Sequence, residues 1–177
     1  DPRVETKFGD AWLSVDGLIA QGKRFDTIIV DLPDPSHPDL NKLYSTVFYN
    51  KLRNILAGDG VMVVQSTSPY HARRTFLSIG RTVEAAGFEK VDQYHANVPS
   101  FGEWGGTIAA PHGLSPKARI RNFDGPAPEA WATKEMIKAS FVFGRDYFVG
   151  REQIDINRPR SGVIYQYHMK DWNEIRD

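Results

Sequence analysis

The chain contains no cysteine. That excludes a disulfide framework, a thiolate nucleophile and any cysteine-ligated zinc or iron–sulfur centre. It also has no excess of charge. Lys plus Arg is 22 and Asp plus Glu is 22, so the formal net charge is zero. A neutral chain has no global field to gather nucleic acid or an anionic membrane surface, and no nucleic-acid partner is expected. No apolar run approaches the roughly 20 residues that a membrane helix needs. A cytoplasmic setting is therefore expected for this stretch. The five histidines, His37, His71, His95, His112 and His168, show no metal-binding spacing, so no metal site is expected. A Gly-x-Ser-x-Gly elbow, a Walker loop and a Gly-x-Gly-x-x-Gly turn are all missing. What remains is 41% hydrophobic and 25% charged over 177 residues, the balance of one ordinary globular domain.

Strands are expected where β-branched residues cluster, and helices where apolar residues recur with the helical period. Val4 to Phe8 reads as a short strand. Ala11 to Ala20 reads as a helix that Gly22 ends. Phe25 to Val30 reads as a strand covered on both faces of a sheet. Asp31 to Asp39 holds three prolines and three aspartates, so it must be a loop. Leu43 to Leu56 reads as a helix, Ala57 to Gly60 as a turn and Val61 to Val64 as a second apolar strand. Tyr70 to Ala86 is an amphipathic helix stopped by Gly87. Phe88 to Ala96 is a strand, with Gly106 to Ala110 as its candidate partner. The alternation implies a right-handed α/β sheet with helices on both faces. Beyond Pro111 the pattern weakens, apart from Lys134 to Phe143. Val163 to His168 reads as a late strand.

In open α/β sheets, ligands bind beyond the carboxyl ends of the strands. Asp10, Asp31, Asp34 and Gln65 fall at such ends. Asp31 and Asp34 are three residues apart and flanked by prolines. Two carboxylates so placed attract and orient a cation, and one can accept a proton. An amine is almost fully protonated at neutral pH and needs such a base before it can attack. The same two residues would equally serve as a turn cap and a solvated surface group. Asp10 precedes an apolar helical run, so it is either an N-cap or an acceptor for a ligand, and one residue can be both. Phe101 and Trp104 lie in a glycine-rich aromatic loop, as pocket wall or as plain core.

Taken in order, these segments resemble the polyamine aminopropyltransferases, the spermidine synthase family. The resemblance rests on Gly9-Asp10-Ala11, on Asp31-Leu32-Pro33-Asp34-Pro35, on Pro38 with Leu43-Tyr44-Ser45, on Gln65, and on Val98 to Trp104. It runs from Asp1 to about Phe143, where Ala139 to Phe143 resembles a late family segment, and more loosely beyond. The Leu-Pro-Asp-Pro loop and the stretch Tyr165 to Trp172 look most like bacterial long forms with a membrane domain upstream. The resemblance implies a partial Rossmann-like, methyltransferase-type fold. Residues 1–110 would be the C-terminal part of the catalytic domain, and residues 111–177 an extension packed on it.

The implied reaction is aminopropyl transfer from decarboxylated S-adenosylmethionine, a co-substrate, to a polyamine, putrescine before others. No prosthetic group is implied. Asp31 would be the base. Asp34, Gln65, Tyr44, Phe101 and Trp104 would line the acceptor site. Asp10, Ala11, Pro38 and Leu43 would face the nucleoside. A homodimer is also implied. Phe101 departs from the family, where a tyrosine is common. The glycine-rich nucleotide loop is absent from these residues, so the chain alone is expected to be inactive. A non-catalytic nucleoside- or polyamine-binding paralogue and a methyltransferase are the alternative readings.

Overall fold

The structure is a computed structural model and describes residues 1–126 and 132–174. Six α-helices and four strands among the described residues build the frame that positions the site. In chain order they are α1 (Ala11–Ala20), β1 (Phe25–Val30), a 3₁₀ helix (Pro38–Tyr44), α2 (Thr46–Asn54) and β2 (Leu56–Gln65). Then come α3 (Arg73–Ala85), β3 (Lys90–Val98), β4 (Gly102–Ala110), α4 (Pro116–Asn122), α5 (Lys134–Ala139) and α6 (Val163–Asn173).

The strand order is β1-β2-β4-β3. β1 and β2 are parallel, whereas β4 runs antiparallel to both β2 and β3. The fold is mixed α/β, as the alternation implied, and the expected pairing of Gly106 to Ala110 with β3 is present. Neighbouring residues on a strand point to opposite faces. On β3, Gln93 donates to the Phe76 carbonyl of α3 (2.7 Å), while Asp92 accepts from the Lys117 amide of α4 (2.8 Å). Helices therefore cover both faces.

The core lies under β1 and β2. Tyr44, Phe48 and Tyr49 pack with Met62, Val64 and Ile79, all essentially inaccessible. Burying each apolar side chain contributes roughly 1.5–3 kcal/mol. Gly87 ends the α3 segment with φ +100°, which a side chain would resist.

Several expectations need correction. Val4 to Phe8 forms no strand, because no neighbour among the described residues pairs with it; Phe8 is 96% exposed. β1 is not covered on both faces. It is the outermost strand among the described residues, and Ile29 is 74% exposed. Ala57 to Gly60 belongs to β2 rather than to a turn. The pairing jumps there from Leu56 to Val61 while β1 advances only from Phe25 to Thr27, so the segment bulges out of register. The expected helix Leu43 to Leu56 is shorter, because Ser45 breaks it and caps α2 through its side chain. α3 begins at Arg73, three residues later than expected.

Val163 to His168 is helix, not strand. Gly162 enters it with φ +66°, and Ile164, His168 and Asp171 are buried along one face. That is the helical repeat, which the β-branched and aromatic composition masked.

Candidate active site

The parallel strands β1 and β2 end side by side, with Val30 opposite Val64. The chain leaves β1 into the loop that carries Asp31 and Asp34, and leaves β2 through Gln65, Ser66 and Thr67. The site residues at these two exits are therefore brought together by strand pairing.

Asp34 is held from both sides. Its Oδ1 accepts from Gln65 Nε2 (2.7 Å) and its Oδ2 from Thr67 Oγ1 (3.1 Å). The Gln65 amide has only one way to sit. Its Oε1 accepts from the Thr67 backbone N–H (2.7 Å), which can only donate, so the NH₂ must face Asp34. Asp31 differs. It is exposed, and no side-chain hydrogen bond occupies it among the described residues. One carboxylate is thus oriented by the protein and the other is exposed to solvent.

Thr67 was not singled out by its sequence. It is wholly buried, with φ +57°, a left-handed conformation that a β-branched residue adopts at a cost of about 1–3 kcal/mol. Two contacts with β4 keep it there: Gly105 N–H donates to the Thr67 carbonyl (2.7 Å), and Ser66 N–H donates to the Gly105 carbonyl (2.9 Å). Gly105 must be glycine, because a Cβ would lie 2.5 Å from the Phe76 ring and 2.8 Å from the Thr67 carbonyl. The polar run Ser66-Thr67-Ser68 after an apolar strand was the only local hint of this node.

Tyr44 closes the loop from below. Its hydroxyl donates to the Pro33 carbonyl (2.8 Å). Burial, reinforced by the charges of Asp34 and Asp31, pushes that hydroxyl well above the ordinary tyrosine range, so it stays protonated. Tyr44 therefore shapes the loop rather than presenting a free group.

Asp10 does the capping job foreseen for it and pairs with a lysine through its other oxygen. Oδ1 caps α1, accepting from the Trp12 N–H (2.7 Å) and the Leu13 N–H (3.3 Å). Oδ2 accepts from Lys42 Nζ (2.9 Å). The lysine first, and then the Leu13 amide, hold the carboxyl below its usual range. Asp10, Pro38 and Leu43 line one cavity of about 550 Å³, with Leu40, Lys42 and Pro159. Ala11 sits beside it and packs on the core. The 3₁₀ helix thus serves both places: Pro38 and Leu43 face the cavity, and Tyr44 holds the carboxylate loop.

Phe101 and Trp104 are not drawn into this cluster by any hydrogen bond among the described residues. Phe101 is 66% exposed at the β3–β4 turn, with the Trp104 ring 5.3 Å away. Trp104 precedes Gly106, the partner of Gln65, by two residues on β4, so it lies on the face that Gln65 shares. The described residues contain no group of acidic and histidine side chains placed to hold a metal ion.

The family model for the spermine/spermidine synthase domain matches residues 1–117. The chain belongs to the spermine/spermidine synthase family. A polyamine aminopropyltransferase of Shewanella oneidensis is 47% identical over 177 residues, covering 99% of this chain and 31% of the relative. Polyamine aminopropyltransferase 2 of Ralstonia nicotianae is 36% identical, covering 99% of this chain and 32% of its own. The chain thus spans about a third of the length of these curated relatives. The crystal structure of spermidine synthase from Thermotoga maritima superposes with a TM-score of 0.64 at 22% identity, over 84% of this chain and 50% of that one. That likeness establishes a shared fold. The membership agrees with the resemblance carried by the Asp31–Asp34 loop, and the partial coverage agrees with a portion of a long form.

Proposed function

We propose that the protein containing this chain transfers an aminopropyl group from decarboxylated S-adenosylmethionine to a polyamine acceptor, putrescine before others. The observation that carries the reading is the contrast between two carboxylates three residues apart. Asp34 is fixed by Gln65 and Thr67, and Asp31 is open. An oriented carboxylate suits holding a cationic amine, and an open one suits taking a proton.

In the reaction, Asp31 removes a proton from the acceptor ammonium. The freed nitrogen lone pair attacks the aminopropyl carbon next to the sulfonium. The new C–N bond forms as the C–S bond breaks, and methylthioadenosine leaves with the sulfur electron pair. A sulfonium is a good leaving group, so positioning and deprotonation are the main tasks of the protein. Asp34, with Gln65 behind it, fixes the amine. Phe101 and Trp104 wall the acceptor side. Asp10, Ala11, Pro38 and Leu43 face the nucleoside across the 550 Å³ cavity. Binding the adenine amino group at Asp10 requires it to share or displace Lys42. The chain alone is expected to be inactive, the rest of the long form completing the donor site. A homodimer in the cytoplasm, tethered through a membrane domain elsewhere in the long form, completes the reading.

The test uses the full-length protein with decarboxylated S-adenosylmethionine and a mixture of di- and triamines. Mass analysis should find methylthioadenosine and an amine heavier by one aminopropyl group. Asp31→Asn should lower turnover by about 10²–10⁴, the usual share of a positioned base, while nucleoside binding persists. A methylated product would make the protein a methyltransferase. Nucleoside binding without any product would make it a binding paralogue.

A further inference from the structure

One end of an acceptor amine is provided for. Gln65 and Thr67 hold the Asp34 carboxylate, and Tyr44 holds the Pro33 carbonyl of the same loop. Tyr44 is fastened in turn. Asn157 donates to its carbonyl (3.1 Å) and to that of Asn41 (3.0 Å), which clamps the 3₁₀ helix to the late chain. A polyamine has at least one more nitrogen, a carbon chain away from the first. At neutral pH that nitrogen is a second ammonium, which can only donate and needs an acceptor of its own.

The sheet brings an acceptor beside Gln65. Gln65 on β2 pairs with Gly106 on β4, and Gly106 pairs with Tyr94 on β3. Directly opposed residues share a face, so the three form one row across three strands. Gly106 has no side chain, and the tip of the Tyr94 ring lies where one would be. A Cβ there would sit 2.3 Å from Tyr94 Cζ and 2.5 Å from the hydroxyl oxygen. Opposed Cβ positions are about 4.5–5.5 Å apart. The hydroxyl is thereby carried one strand inward from its own backbone, to within about 8 Å of the Gln65 Cβ. Phe141 packs 5.7 Å from the Tyr94 ring. No hydrogen bond occupies the hydroxyl among the described residues, and burial raises its pKa above the usual tyrosine value, so it stays a neutral phenol. A phenol oxygen can accept from an ammonium. Phe101, in the β3–β4 turn, has no hydroxyl to offer.

We propose that Tyr94 is a specificity-determining residue of the acceptor site, whose hydroxyl accepts a hydrogen bond from the far ammonium of a diamine held at its near end by Asp34. This rests on the aminopropyl-transfer reading of the same site. The two anchors differ in kind. Asp34 is charged and takes the nitrogen that reacts. Tyr94 is neutral and takes the nitrogen that does not. The pair therefore favours amines with a second nitrogen over monoamines of the same length.

The experiment uses the full-length protein and compares putrescine with 1-aminobutane, which has the same carbon chain and lacks the far nitrogen. Tyr94→Phe keeps the ring and its packing and removes only the hydroxyl. It should raise KM for putrescine about ten- to a hundredfold, the weight of a hydrogen bond to a charged group. KM for 1-aminobutane and for decarboxylated S-adenosylmethionine should stay within about twofold. Titration calorimetry of the two amines reads the same difference without turnover. Equal losses for the two amines would mark a merely structural role and overturn the inference, as would an unchanged putrescine KM. A preference for putrescine that Tyr94→Phe erases in calorimetry, in a protein that makes no methylthioadenosine, would overturn the transfer reaction and leave the amine contact standing.

Discussion

The two sides of the candidate site are built in opposite ways. Around Asp34, every polar partner is part-buried and comes from the backbone frame: Gln65 ends β2, and Thr67 is locked against β4. Around Asp10, one oxygen caps α1, the other meets Lys42, half in solvent, and the cavity beside it is open. One side is set before any ligand arrives. The other is held by an exposed charge pair that a ligand can replace, because such pairs are weak in water. A small cation with few contacts gains most from a preformed cradle. A large nucleoside brings enough surface to reorganise what it meets.

The contrast can be broken by substitution. Asp34→Asn removes the fixed charge and should raise KM for the amine about ten- to a hundredfold, the weight of a charged hydrogen bond. Asp10→Asn should leave that KM within about twofold; parallel steady-state titrations of both substrates check the split. Ile164→Ala attacks the support instead. Ile164 is wholly buried on α6, and the change should cost about 2–5 kcal/mol in denaturant unfolding.

Thr67 sharpens the comparison further. Thr67→Val keeps the strained backbone and loses the hydroxyl on Asp34, so amine KM should rise while Tm falls only slightly. Thr67→Gly relieves the strain as well, and its Tm should exceed that of Thr67→Val. Thermal melts and amine titrations of the two variants separate the contributions.

A smaller effect comes from pH. Burial lowers the His168 pKa from its usual 6.5. Below that value the unfolded chain binds a proton that the folded chain resists, so stability falls as pH drops. The contribution is fully present above about 6.5. Melts from about pH 7 to about pH 5 should show the slope, and His168→Asn should flatten it. The smallest change is Lys42→Ala, which frees Asp10. It should hardly move Tm and should alter only nucleoside affinity, read by titration calorimetry.

Much of the frame was legible in the residues because local chemistry decided it. β1 and the β2 stretch from Val61 to Val64 are apolar β-branched runs, Asp10 caps an apolar helical run, and Gly87 sits where a helix must stop. The carboxylate pair was legible as a type and spacing. What escaped depends on distant partners. Thr67 takes its conformation from Gly105 on another strand. Asp171 meets Thr75 across 96 positions, and no local pattern announces that meeting. α6 was read as a strand because Val-Ile-Tyr-Gln-Tyr carries β-preferring side chains, and packing against α3 overruled them.

The Asn157 clamp has a consequence for how the molecule is made. Its partners, the carbonyls of Asn41 and Tyr44, lie 116 and 113 positions earlier in the chain. During synthesis, β1, β2 and the carboxylate loop leave the ribosome long before their fastener does. The sheet can form in that interval, with Gln65 and Thr67 already placed to hold Asp34, but the 3₁₀ helix waits for its fastener until the late segment arrives. A chain truncated before Asn157 should therefore keep its strands and its hold on Asp34, and lose the late anchor at the Asn41 and Tyr44 carbonyls.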